Sequence, residues 1–342
     1  MAIPETQTAV QLSAFGADNI VIAQVPVPKP GAGEVLVRIT ARPVNPSDVF
    51  AVVGVYPGYK PKEFPAVPGL EGMGEVVSLG PDTSGRLSPG TRVVATQWRC
   101  ASEGVGTWQQ YVVAPEEDLV PVPADLPDEA ACQALINPVP VIGMLQELDV
   151  PKDDYIIVTA AGSALGRMAI RYAKSRDIRV VATCRRAEQV QELKDAGAYE
   201  AMVLATDADA EALAKRVSEL TGGRGAWGAL DSIAGSSPAR IAPAVRVGGS
   251  IIVYGAMSGA NIEWNVVQGL FRQVALKGFW LVPWLASKSA EEQRAVLAEV
   301  LEHMRSGLLP PMKTDVRPLE EAAAALRDQA IEGRPAKIVL RS

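Results

Sequence analysis

The sequence predicts an α/β protein in which a doubly wound, six-stranded parallel sheet is joined to a β-rich domain. Three observations predict it. From about residue 125, strand-like and helix-like segments alternate, the pattern of a parallel sheet covered on both faces. The first of those strands runs straight into a turn of small residues, Ala160-Ala161-Gly162-Ser163-Ala164-Leu165-Gly166, that opens a helix. Before residue 125 the apolar runs are short, alternating and bounded by Pro and Gly, as in a barrel or sandwich.

In the first part, Glu34–Arg38 and Gly74–Ser78 alternate apolar and polar residues, and Pro26, Pro28, Pro30, Gly31, Gly33, Pro81, Pro89 and Gly90 punctuate the runs. Asp128–Leu148 reads as helical, interrupted at Asn137-Pro138. Six strands follow: Tyr155–Thr159, Arg179–Cys184, Glu200–Leu204, Trp227–Ile233, Ser250–Tyr254 and Leu276–Leu281. The helix after the first strand lines up Leu165, Met168, Ala169, Tyr172 and Ala173, and the third lines up Ala210, Leu213, Ala214 and Val217. Gly197 suits the end of the second helix. From about 282 the tail reads as one long helix, a turn at Pro310-Pro311, another helix and a closing strand, Lys337–Leu340. The division expected is residues 1–125 with 282–342 as one domain and 126–281 as the other.

With 33 basic and 39 acidic side chains the net charge is -6, which disfavours nucleic acid as a partner. No uninterrupted apolar stretch is long enough to span a bilayer and residues 1–30 lack a leader pattern, so the expected location is the cytoplasm, with no membrane partner. Three widely spaced cysteines, Cys100, Cys132 and Cys184, form neither a disulfide framework nor a metal knuckle. The single histidine, His303, excludes a multi-histidine metal site and lies in an amphipathic run, Glu291–Arg305, where a surface or packing role is expected.

The turn at 160–166 is where a dinucleotide pyrophosphate would sit, because helix-start N–H groups and the helix dipole attract anions. A strict Gly-x-Gly-x-x-Gly would fall on Ala161, Ser163 and Gly166, and only Gly166 matches. Ser163, Ala164, Leu165 and Gly166 are the phosphate-binding candidates. The second strand ends in Cys184-Arg185-Arg186, with no acidic residue to accept from ribose hydroxyls. Guanidinium groups suit a 2′-phosphate, so Arg185 and Arg186 point to NADPH.

Val44-Asn45-Pro46-Ser47-Asp48, Pro68-Gly69-Leu70-Glu71-Gly72, Gly90-Thr91-Arg92-Val93 and the 160–166 turn resemble the medium-chain dehydrogenase/reductase superfamily, over essentially the whole chain. The resemblance implies a Rossmann domain and a GroES-like catalytic domain. Where zinc dehydrogenases carry metal ligands this chain has Asn45 and Leu70, and near 95–110 it offers only Cys100, so no metal is expected. It resembles the zinc-independent branch, with its 2-enoyl thioester reductases and quinone oxidoreductases. Gly106-Thr107-Trp108, Met144-Leu145, Val253-Tyr254-Gly255-Ala256-Met257 and Lys277-Gly278-Phe279-Trp280-Leu281 are similar to the first group, whereas Pro140 and Ile142 replace its Thr and Tyr.

On this resemblance Tyr56 is the catalytic candidate. Reduction of an activated double bond leaves negative charge on a carbonyl oxygen, and a phenol, with an ordinary pKa near ~10, can donate to it. Asn45 is expected to orient Tyr56 or to bond the nicotinamide, or to cap a helix before Pro46. Tyr254, Ala256, Met257, Phe279, Trp280, Leu281 and Lys337 are further cofactor candidates. Trp108, Trp280 and Trp284 are candidates for an acyl slot, with core packing as the alternative for each, and Lys60 and Lys62 for a basic lip. The expected reaction is NADPH-dependent reduction of a trans-2-enoyl thioester on coenzyme A or a carrier protein. A quinone or α,β-unsaturated carbonyl reductase, or a non-enzymatic crystallin-like role, are the alternatives. The family implies a homodimer formed through the strand near 276–281.

Overall fold

The computed structural model describes residues 2–99, 103–259, 261–331 and 336–342. Cys100 lies outside the described residues. The strands are β1 (Thr6–Leu12), β2 (Ile20–Pro26), β3 (Glu34–Pro43), β4 (Met73–Leu79), β5 (Arg92–Ala95), β6 (Tyr111–Pro115), β7 (Leu119–Pro121), β8 (Tyr155–Val158), β9 (Arg179–Cys184), β10 (Glu200–Val203), β11 (Ala226–Asp231), β12 (Val245–Val253), β13 (Ala275–Gly278), β14 (Thr314–Pro318) and β15 (Lys337–Arg341). The helices used below are α1 (Pro46–Val52), α2 (Asp128–Ala131), α3 (Pro138–Leu148), α4 (Ala164–Ser175), α5 (Gln189–Asp195), α6 (Asp207–Thr221), α7 (Ser237–Ile241), α8 (Val266–Leu270), α9 (Leu281–Ala286), α10 (Ala290–Arg305) and α11 (Ala322–Gln329). The chain divides into two compact units, residues 1–136 with 285–342, and residues 137–284.

In the first unit a seven-stranded sheet runs β14-β15-β3-β4-β5-β7, with β6 on β3. β3 is its spine: Val35, Val37 and Ile39 point into one core with Val76, Val93 and Val112, the alternation its sequence shows. Arg42, on the same strand, is fully buried and donates to the carbonyls of Ile39 (3.2 Å), Thr107 (2.9 Å) and Gln109 (2.9 Å) and to Ser342 Oγ (2.7 Å). Burial pulls its pKa down to about 9, and the carbonyls keep the cation solvated. Arg42 thereby sews β3 to the chain's last strand.

In the second unit all six strands are parallel, in the order β10-β9-β8-β11-β12-β13. This is the doubly wound order, with its switch point between β8 and β11. β8 is buried along its whole length because helices cover both faces. In α4, Met168, Ala169, Tyr172 and Ala173 are buried, and in α6 Leu213 and Val217, the stripes the periodicity predicts.

The sixth strand is shorter than expected. β13 stops at Gly278, Phe279 and Trp280 lie outside regular structure, and Leu281 begins α9, where Pro283 fits a first helical turn. The tail is two helices rather than one, parted at 287–289. Ser289 caps α10 by accepting from the Glu292 N–H, and Glu292 returns a bond to the Ser289 N–H. β14 was not expected, because Thr314-Asp315-Val316-Arg317-Pro318 is polar and half exposed; its parallel partner β15 holds it. His303 sits on α10 with its Nε2 3.2 Å from Glu299 Oε1, one turn away, in the helix-surface role expected.

Candidate active site

The first unit carries a buried polar cluster at the start of α1. Asn45 caps that helix, with its N–H donating to Asp48 Oδ2 (2.8 Å). Asp48 Oδ1 accepts from the Leu70 N–H (3.0 Å). The Asn45 amide is spanned: Nδ2 donates to Glu71 Oε1 (2.7 Å), and Oδ1 accepts from the Lys337 ammonium. Glu71 Oε2 accepts from the N–H groups of Leu135 (3.2 Å) and Ile136 (3.0 Å). Asn45 and Asp48 are 0% exposed, Glu71 1% and Lys337 5%.

Burial raises both carboxyls, Asp48 to about 6 and Glu71 to about 7, against the pull of their hydrogen bonds and of Lys337. The folded protein therefore keeps protons that the unfolded chain releases near ~4. For these two groups stability is highest below that pH and falls as pH rises through about 7. Compared with Glu71→Gln, wild type should lose relative thermal stability between about pH 5 and pH 8. Melting curves at several pH values check this, and a constant difference across the range contradicts it.

Tyr56 follows α1 on a tight turn. The Val55 and Tyr56 N–H groups both donate to the Phe50 carbonyl (2.9 and 3.1 Å), and the Tyr59 N–H to the Tyr56 carbonyl (3.0 Å). Gly54 has φ +80, and a Cβ there would lie 2.8 Å from Phe15 Cγ, so the turn requires glycine. Tyr56 is half-buried against a core that includes Val52, Tyr59 and Trp108.

In the second unit the loop after β8 lies at the switch point. Ala160 has φ +44, a left-handed conformation rare outside glycine and frequent at binding sites. The Ala161 N–H donates to the Thr183 carbonyl (3.0 Å), tying the loop to β9. Ser163 caps α4 by accepting from the Gly166 N–H (3.1 Å). The Ala164 and Leu165 N–H groups have no partner among the described residues. A Cβ on Gly166 would lie 2.7 Å from Ala161 Cα and 2.9 Å from the Ala160 carbonyl, so the missing side chain keeps helix and loop in contact. This cradle at a helix start fits a dinucleotide pyrophosphate. Asp231, fully buried at the end of β11, accepts from Thr159 Oγ1 (2.7 Å), Ser237 Oγ (2.5 Å) and the Ala234 N–H (2.8 Å), joining the two strands that flank the switch point.

The other expected residues separate into groups. Arg185 and Arg186 are exposed just past β9. Tyr254 follows β12, with its N–H on the Asp231 carbonyl (2.9 Å), and burial raises its pKa. Ala256 and Met257 are exposed beyond it. Phe279 and Trp284 pack together, ring centroids 5.9 Å apart, over Gly143 of α3. Trp280 is exposed and Leu281 half-buried. Within the first unit Trp108 is 0% exposed in the core, so it packs and lines no slot. Lys62 pairs with Glu103 (3.0 Å), a solvated ion pair in place of half of the expected lip. Pro140 and Ile142 are buried in α3. Glu71 and Asp48 were missed as site residues. Their only signal is two acidic residues inside apolar or Gly-rich runs, beside Leu70 and Asn45.

Among the described residues no three His, Cys, Asp or Glu side chains stand together to hold a metal ion, and no helix is long and apolar enough to cross a membrane. Residues 31–124 match the alcohol dehydrogenase GroES-like domain and residues 164–301 the domain called zinc-binding dehydrogenase. The chain is 32% identical over 316 residues to the mitochondrial enoyl-[acyl-carrier-protein] reductase of Arabidopsis thaliana, covering 90% of this chain and 80% of that one. Its fold is similar to that of a mycobacterial quinone oxidoreductase (TM-score 0.83, 27% identity, covering 98% of this chain and 100% of that one). It is also similar to a mycobacterial protein complexed with NADPH (TM-score 0.80, 26% identity, covering 98% and 100%). On the matched domains, the sequence likeness and the parallel six-stranded sheet, this chain belongs to the medium-chain dehydrogenase/reductase family of oxidoreductases, in the branch without a zinc-binding group.

Proposed function

We propose that the protein reduces the activated C=C bond of a trans-2-enoyl thioester, on coenzyme A or a carrier protein, with NADPH. The likeness to an enoyl-[acyl-carrier-protein] reductase over nine-tenths of the chain carries this reading, together with a tyrosine held on a hydrogen-bonded turn after α1. NADPH, when bound, supplies the hydride that adds to the β-carbon. The phenol of Tyr56 donates to the thioester oxygen as it takes up negative charge and then gives its proton to the α-carbon, leaving the saturated thioester and a phenolate that solvent reprotonates. The α4 start, Ser163 to Gly166, holds the pyrophosphate, and Arg185 and Arg186 hold the 2′-phosphate. Tyr254, Ala256, Met257, Phe279, Trp280 and Leu281 bound the nicotinamide. Trp280 and Trp284 bound the acyl group. Asn45 and Lys337, bonded to each other and buried, serve by position rather than by touching the ligand.

The second reading, a quinone or enone reductase, is favoured by the likeness to a quinone oxidoreductase. One assay separates the two: NADPH oxidation with crotonyl-CoA, a longer trans-2-enoyl-CoA, a simple enone and a quinone. Turnover confined to quinone would overturn the thioester reading.

We also propose a homodimer. β13 is an edge strand exposed at all four residues. Leu276 of this strand is exposed, as are Val266, Leu270 and Phe271 before it in the chain, at 67%, 64% and 73%, and Trp280 after it. An exposed edge strand flanked by exposed apolar side chains calls for a partner, and a second copy supplies an identical edge. Light scattering should report a dimer, and Phe271→Asp should weaken it by about tenfold or more. A wild-type monomer at micromolar concentration would remove the proposal.

A further inference from the structure

Glu71 joins two segments of the first unit. One is α1 with the Tyr56 turn, reached through Asn45. The other is the run Leu135-Ile136, which ends the first unit and leads into the nucleotide-binding unit. We propose that Lys337, Asn45 and Glu71 form a positioning chain that holds these two segments in one geometry, with Glu71 as a positioning residue for the hydride-transfer site. The inference rests on the reading of Tyr56 as the donor to substrate.

The polarity of the chain is forced from one end. An ammonium only donates, so Asn45 turns its Oδ1 to Lys337. The Asn45 Nδ2 must then donate in turn, and the residue it meets must accept; Glu71 Oε1 does so at 2.7 Å. The second oxygen is left for the two backbone N–H groups at 3.2 and 3.0 Å. The Glu71 carbonyl is also taken, by Thr107 Oγ1 at 2.7 Å. With Asp48 receiving the Asn45 and Leu70 N–H groups, every polar group of the cluster that faces another does so as donor to acceptor. Three ionisable side chains no more than 5% exposed are costly to bury, and a core filled for stability alone is better served by apolar residues. What such a network secures is one arrangement in preference to its neighbours. Asn45 stands where zinc dehydrogenases of the family place a metal ligand, and here an amide organises the same spot.

The polarity yields a test by repair. In Glu71→Gln the introduced amide can still accept from Leu135 and Ile136, but it then turns its NH2 on the NH2 of Asn45. Flipping Asn45 only moves the clash to Lys337. Adding Asn45→Asp restores every bond: the introduced aspartate accepts from both Lys337 and the introduced glutamine, and the number of carboxyl groups is unchanged. Amide hydrogen exchange at 135–136 and across 45–56 should speed up by about tenfold or more in Glu71→Gln. kcat should fall by about 30-fold with KM for NADPH within about threefold. In Asn45→Asp/Glu71→Gln, exchange should return to within about threefold of wild type and kcat should recover at least about tenfold over Glu71→Gln. Wild-type exchange in Glu71→Gln overturns the proposal. So does a double variant that behaves like the single one, or that does not fold. If wild type reduces no enoyl thioester, the thioester reading fails by itself. The exchange measurements still decide the chain, and the kinetic arm passes to the acceptor that the enzyme does reduce.

Discussion

Tyr56→Phe lowers kcat/KM for a trans-2-enoyl thioester by about 10²–10³-fold while NADPH affinity and melting temperature stay near wild type. The size follows from what one donor to a developing oxyanion contributes in a site shielded from water. The selectivity follows from geometry. The turn that carries Tyr56 is held by main-chain bonds from residues 55, 56 and 59, none of which uses the hydroxyl. The ring packs on the Val52 and Tyr59 core, and phenylalanine preserves that contact. Phenylalanine keeps the ring and the main-chain bonds of the turn, and only the hydroxyl is lost. Steady-state kinetics with NADPH and crotonyl-CoA, beside a cofactor-binding titration and a melting curve, make the comparison. A loss below about threefold would return Tyr56 to the core as a packing residue.

Replacing both guanidinium groups, Arg185→Asp/Arg186→Ser, shifts the ratio of kcat/KM for NADPH over NADH by about 10²–10³-fold toward NADH. The two arginines are exposed immediately past β9, beside the loop that Ala161 ties to Thr183 of that strand. A 2′-phosphate would meet cations there, and nothing acidic at the strand end accepts from an unphosphorylated ribose. The introduced aspartate reverses both conditions, repelling the phosphate and accepting from the ribose hydroxyls. Exposure limits each arginine to a screened contribution, so the effect should shrink as ionic strength is raised. An unchanged preference at low salt would mean that the arginines are a solvated pair. The NADPH assignment would then rest only on likeness to the mycobacterial complex.

The six parallel strands were legible because each is a short apolar run followed by a helical stripe, and burial of such stripes depends on neighbours a few residues away. The 160–166 turn was legible for the same reason: small residues between a strand and a helix are a local signal, and Gly166 is indeed where a Cβ would strike the Ala161 backbone. Elements whose identity depends on partners read less well. β14 has no apolar alternation and is a strand because β15 lies beside it. The helical pattern of the tail continues through 287–289, and the Ser289–Glu292 cap divides the helix there.

Residue type and period along single segments suffice for the fold class, for the small-residue loop at 160–166 and for the Asn45 and Leu70 that stand where zinc dehydrogenases carry metal ligands. Which polar groups meet depends on the folded chain. Trp108 became core, and Asn45 became a bridge between Lys337, 292 residues away, and Glu71, 26 residues away. Glu71 acquired its role from Leu135 and Ile136, 64 and 65 residues on. A hydrogen bond needs a donor and an acceptor within about 3 Å, and no periodicity in the chain records a partner brought there by folding.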